Sequence, residues 1–239
     1  IVVAGVAYVD ANGLYPPPQA RQPSQADYEK WNSNAFVGSP EEASALYYEA
    51  RLIAQHPGLA RRNGRTLMIM ADGKPISTFK PRSPLNRGGD ICILNKVLRL
   101  ASAKSRSLAE VPYVVCYTGE FDHPFLVLHD GRHWEMLLPS ASPAGNLLVT
   151  GYSNASPSDG SLLTLYAWPS RKIIARFPVS CEVLGWQDDR HFNARCAYDP
   201  RPNNQNEATW NDTIWFDAKV WQDDSSQWQL QSVQGDLPR

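Results

Sequence analysis

From Thr66 to Val233 the chain is a succession of short apolar or alternating runs punctuated by turn dipeptides. The runs fall at 66–70, 91–100, 112–117, 125–129, 134–138, 147–152, 162–168, 173–179, 182–186, 192–198, 213–220 and 228–233. Asp72-Gly73, Asp130-Gly131 and Asp159-Gly160 stand between neighbouring runs. Asp-Gly joins antiparallel strands because a tight hairpin turn needs positive φ at its central residues. Ten or more short strands with such turns predict a mainly β fold of antiparallel sheets, as a sandwich, barrel or propeller. Nineteen prolines and eight tryptophans point the same way and argue against a helical bundle.

One helix is expected, over 39–56. Ser39 stands at the N-cap, Pro40 at the first helical position and Glu42 three residues after the cap, which makes a capping box. Ala43, Leu46, Tyr47, Ala50, Ile53 and Ala54 recur at helical spacing as an apolar stripe, and His56-Pro57-Gly58 supplies the stop. Arg61, Arg62 and Arg65 then read as a solvated basic face near the helix end. Before the helix, Pro16-Pro17-Pro18 and Pro23 sit among Gln, Ser and Asn, a composition that favours extended chain. The expected organisation is an extended arm or linker over 1–38 and a single β-rich domain over 39–239. The apolar stretch 1–9 is too short for a bilayer, which takes about 20 residues. It reads as a buried strand ending at Asn12-Gly13, with the remnant of a signal peptide or anchor as the alternative.

The second half of the chain carries a resemblance. Ser142-Pro143-Ala144-Gly145-Asn146-Leu147-Leu148-Val149 resembles the Ser-Pro-Asp-Gly start of a TolB- or WD-like β-propeller blade, with Ala144 in place of the Asp. The stretch 162–179 resembles the paired inner strands of such a blade. Val183-Leu184-Gly185-Trp186-Gln187-Asp188-Asp189 resembles the opening of the next. From Pro143 to Asp188 the period is 45 residues, within the usual blade length. An earlier blade would run from Ile91 to Pro139, and Thr213 to Val233 would end the last. The resemblance therefore implies about three blade-like units over 66–235, an incomplete propeller with the helix packed on one face.

Lys plus Arg (23) nearly balances Asp plus Glu (24), so no global field draws in nucleic acid. No later segment is long and apolar enough to span a membrane. The cysteines Cys92, Cys116, Cys181 and Cys196 include no C-x-x-C pair, so neither a zinc ribbon nor a thioredoxin motif is indicated. Their even number fits two disulfides, most simply Cys92–Cys116 and Cys181–Cys196 among three connectivities. Disulfides imply export, to the periplasm or the extracellular space.

Chemistry-bearing motifs are sparse. G-x-S-x-G, H-E-x-x-H and the glycine-rich phosphate loops do not occur, and no cofactor is indicated. Three of five histidines, His123, His129 and His133, lie within eleven residues, beside Asp122 and Asp130. If Asp130-Gly131 is a turn, His129 and His133 flank it, with His123 at the far end of the preceding strand. The carboxylate pairs Asp188-Asp189 and Asp223-Asp224 read as turns, because neighbours on a strand point to opposite faces. Aromatic residues concentrate near the C-terminus. On a regular strand Trp215, Asp217, Lys219 and Trp221 share one face while Phe216, Ala218 and Val220 share the other. The second set suits a core. The first, with Trp210, suits the aromatic anchors of a recognition surface. The reading with most support is an exported, non-enzymatic protein that binds a protein partner, such as an inhibitor or immunity-type protein. Two alternatives are an exported hydrolase using Asp122, His123 or His133, and a carbohydrate-binding module on the tryptophan face.

Overall fold

The computed structural model describes residues 9–10, 13–14, 40–80, 91–102, 107–117, 122–151, 163–198 and 214–233. The fold is mainly β. Among these residues the chain forms one α-helix, a two-stranded hairpin and four antiparallel sheets of three or four strands. Every sheet is a meander in which sequence neighbours pair, with no crossover. The hairpin pairs β1 (Val9–Asp10) with β2 (Gly13–Leu14), so Gly13 belongs to the second strand and not to the expected Asn12-Gly13 turn. The proline cluster, Ser39, Asp159-Gly160 and Trp210 lie outside the described residues. Contacts divide the chain into two compact units, one of residues Ile1–Pro18, Leu100–Ala109 and Leu137–Arg239, the other of Gln19–Arg99 and Glu110–Met136.

In the second of these units α1 (Pro40–Gln55) begins at the proline that pre-sets helical φ, and it ends before Pro57. Its buried side is rotated from the expected stripe. Leu52 and Ile53 pack on the core, whereas Ala50 and Ala54 are exposed. Among the helix side chains described, Glu49 is the most buried, at 1% exposure. An alanine buries little apolar area, and Glu49 finds a charged partner inside, so the polar residue takes the inward position.

That partner is Arg62 of β3 (Ala60–Asn63), which pairs with β4 (Thr66–Ala71), itself paired with β5 (Lys74–Phe79). Arg62 is thus a largely buried tie and not part of a solvated face; Arg61 alone of the three arginines is exposed. β3 and β5 escape a hydropathy reading because Ala-Arg-Arg-Asn and Lys-Pro-Ile-Ser-Thr-Phe carry little apolar content. Both are outer strands, where Pro75 is tolerated. The next meander is β6 (Ile91–Ala101), β7 (Leu108–Tyr117), β8 (Asp122–Val127) and β9 (His133–Glu135). Leu67, Ile69, Leu94, Val114 and Val127 make the core shared by these two sheets and the helix.

In the other unit, β10 (Ser140–Ala141), β11 (Leu147–Thr150), β12 (Leu163–Ala167) and β13 (Lys172–Phe177) form one meander. β14 (Ser180–Asp188), β15 (His191–Tyr198), β16 (Ile214–Gln222) and β17 (Trp228–Ser232) form the next. Val149, Leu163 and Leu165 of the first sheet pack against Cys181, Phe192, Phe216 and Val220 of the second. Gly151 sits where a Cβ would collide with the Cys181 carbonyl oxygen, so only glycine allows the end of β11 to approach β14 so closely.

The period of about 45 residues has a physical counterpart in this unit. Ala101 N–H donates to Gly145 O at 2.8 Å, and Ala144 N–H donates to Asp189 Oδ1 at 2.7 Å, 45 positions on. Trp186 Nε1 donates to Ser140 Oγ at 3.0 Å across 46 positions. β10 and the turn after it are therefore tied by hydrogen bonds to β14 and the turn after it. The Ser142 to Asn146 turn closes on itself through Gly145 N–H to Ser142 O (2.8 Å) and Ser142 Oγ to Asn146 Oδ1 (2.9 Å).

Candidate functional site

Strand β16 alternates as its sequence predicts. Phe216, Ala218 and Val220 are 4%, 1% and 1% exposed and face the core. Trp215, Asp217, Lys219 and Trp221 occupy the opposite face, where Trp215 and Lys219 are exposed and Asp217 and Trp221 half-buried. Antiparallel register sets His191, Asn193, Arg195 and Ala197 of β15 opposite Trp221, Lys219, Asp217 and Trp215, respectively. On the other side Gln229 and Gln231 oppose Trp221 and Lys219. Arg195 Nε reaches Asp217 Oδ1 at 3.3 Å, a solvent-exposed pair. Val233, 57% exposed, donates its N–H to Asp217 O at 2.7 Å, which places it one step from Trp215 at 44%. The result is a face with an apolar end at Trp215 and Val233, a charged centre and an aromatic end at Trp221.

Arg195, His191 and Val233 were not singled out from the sequence. The signal was present in the alternation of His191-Phe192-Asn193-Ala194-Arg195, but which strand lies beside β16 is a matter of topology. Trp228 and Trp186 pack on the core beside Phe192, at ring-centroid distances of 6.2 and 4.7 Å.

The carboxylate pairs serve turns. Asp223 accepts from Ser225 Oγ (2.7 Å), Ser225 N–H (2.9 Å), Gln227 N–H (2.9 Å) and Gln229 Nε2 (2.9 Å). These donors, the Ser225 hydroxyl foremost, hold its carboxyl below the usual carboxylate range. Asp188 is held down chiefly by His191, whose Nδ1 lies 2.8 Å away, and by the Arg190 N–H. Asp130 is lowered by the Arg132 guanidinium and N–H.

The histidines do not converge. His123 lies opposite Cys116 near the start of β8, and His133 lies opposite Val127 at its end, four residues or about 13 Å along the strand. The Asp122 side chain is outside the described residues. His129 is directed to Asp72, 3.8 Å away. His133 stacks on Phe125 at 4.7 Å with an 8° interplanar angle, and its Nε2 meets Ser77 Oγ at 2.8 Å. Partial burial pushes its imidazole down from the ordinary range. The Ser77 contact was invisible in the sequence because the two residues are 56 positions apart on outer strands of different sheets. Among the described residues no group of three or more His, Cys, Asp or Glu side chains could hold a metal ion.

Both disulfides form as the spacing indicated. Cys92–Cys116 joins β6 to β7, and Cys181–Cys196 joins directly opposed residues of β14 and β15. No described helix is long and apolar enough to cross a membrane.

These features define a disulfide-bonded, mainly β protein of consecutive antiparallel meanders with a mixed aromatic and charged face on its C-terminal sheet. Comparison with protein-family models, curated proteins and solved structures found no match.

Proposed function

We propose that this chain is an exported recognition protein that binds a protein partner through the β16 face of its last sheet, as an inhibitor or immunity-type protein does. The observation that carries the reading is Trp215. It is a large aromatic left 44% exposed on a regular strand whose alternate residues are almost wholly buried. Interfaces draw their energy from such anchors ringed by polar groups, and Arg195, Asp217, Lys219 and Gln231 provide the ring. Export is supported by the two disulfides, which persist in oxidising compartments. Recognition is favoured over catalysis because Glu49, Asp188 and Asp223 are each committed to holding neighbouring strands or turns. The meander order and the 45-residue recurrence support kinship with propeller blades.

The test is capture of partners from an envelope or secreted fraction of the source cells by wild type and by Trp215→Ala/Trp221→Ala. A partner retained by wild type and lost with the double variant supports the reading. Retention by both overturns the assignment to this face. Binding of the wild type to a glycan array, abolished in the same variant, would replace the protein partner with a carbohydrate.

A further inference from the structure

A second surface lies on β13, the terminal strand of the β10–β13 sheet. Its register with β12 shifts between Leu165 and Tyr166: Leu165 opposes Ala175, but Tyr166 opposes Ile173, so Ile174 is an inserted residue. The bulge brings Ile173 to the face on which Ile174 would otherwise have stood. Both isoleucines are 38% exposed, and with Arg171 and Lys172 they make four consecutive exposed residues. Arg176 is exposed as well.

The charge here is one-sided. Between Leu163 and Ser180 there are three cations, Arg171, Lys172 and Arg176, and no Asp or Glu, in a chain whose net charge is −1. Among the described residues no carboxylate pairs with Lys172 or Arg176.

We infer that the β13 edge is a docking surface for an extended, acidic segment of a protein partner, with apolar residues between its carboxylates. The charge pattern selects the occupant. With three cations and no carboxylate over 163–180, this edge complements an acidic strand, whereas a second copy would bring cations to cations. A membrane is the poorer fit, because isoleucines 38% exposed lie nearly flush with the surface while interfacial anchoring buries apolar groups about 5–10 Å deep. This inference stands independently of the β16 face.

The probe is a fluorescein-labelled Glu-Leu-Glu-Val-Glu-Leu-Glu peptide, with its Lys-for-Glu counterpart as control, followed by anisotropy. Saturable binding of the acidic peptide alone is expected, lost when salt is raised to about 0.5 M. Lys172→Glu/Arg176→Glu should weaken it at least about tenfold, and Ile173→Ser/Ile174→Ser should weaken it while net charge is unchanged. Arg176→Glu alone serves if the double variant misfolds. Trp215→Ala/Trp221→Ala should leave peptide binding unchanged, which separates this surface from the β16 face. No saturable binding, equal binding of both peptides, or binding indifferent to the β13 substitutions overturns the inference. Vesicles of phosphatidylcholine and phosphatidylglycerol that bind where the acidic peptide does not would overturn it in favour of a lipid surface.

Discussion

Replacing Glu49 with leucine should be among the most damaging single changes in the helix-bearing unit. Glu49 is 1% exposed and the Arg62 side chain 15%. The carboxylate accepts from Arg62 Nε, from Arg62 Nη2 at 2.6 Å and from the Leu94 N–H at 2.8 Å. Without it, Arg62 keeps only the Cys92 carbonyl at 2.5 Å among the described residues, where its Nη1 already has no partner. Breaking a buried pair by removing one member costs about 3–5 kcal/mol, since the remaining charge stays desolvated. The orphaned Leu94 N–H, worth about 1–3 kcal/mol by itself, places Glu49→Leu toward the upper end of that range. Glu49→Leu/Arg62→Met should recover most of the loss, because removing both charges abolishes the desolvation penalty. Urea unfolding followed by far-UV circular dichroism on the two single variants and the double variant measures the coupling directly. A Glu49→Leu cost below about 1 kcal/mol, or strict additivity with Arg62→Met, would refute a buried, coupled pair.

Phe216→Ala should cost about 3–5 kcal/mol, whereas Trp215→Ala should cost far less; equal losses in denaturant titrations would contradict the two-faced reading of β16. Each disulfide closes a loop whose removal should cost about 3 kcal/mol, and unreduced protein should take up no alkylating reagent at Cys92, Cys116, Cys181 or Cys196. The Asp223 carboxyl titrates lower in the folded than in the unfolded chain, so its contribution is fully present above about pH 4 and is lost as pH falls through the depressed folded value. Asp223→Asn should flatten that acid limb, and an unchanged limb would remove Asp223 from the account. Partial burial lowers His133, so its ring should titrate below the ordinary value of about 6.5. Stability should then decline as pH drops through that value, and an NMR midpoint at or above it would contradict the geometry. Gly131→Ala should destabilise by more than about 1 kcal/mol, because φ there is +79° and a Cβ would stand 2.5 Å from the Ile76 carbonyl oxygen; unchanged thermal unfolding would refute it.

Local patterning made much of this molecule legible. Alternation separated the core and outer faces of β16 before any neighbour was known, because a strand's period of two depends only on the chain itself. Asp-Gly turns, Pro40 at the helix start and the four spaced cysteines were equally local signals. Elements that failed to announce themselves did so for a common reason. β3 and β5 are polar outer strands held by backbone pairing, and Glu49 takes an inward helix position because Arg62 arrives from β3. What the sequence by itself determined is the mainly β class, the antiparallel turns and the two faces of β16, while it offered the observed disulfide pairing as the simplest of three. Tertiary structure alone decided that Arg195 and Val233 join the tryptophan face, that the clustered histidines stay apart, and that Ser77 meets His133. The physical reason is range: hydropathy and turn preferences act within a few residues, while charge pairing, register and desolvation are set by whichever strand the fold lays alongside.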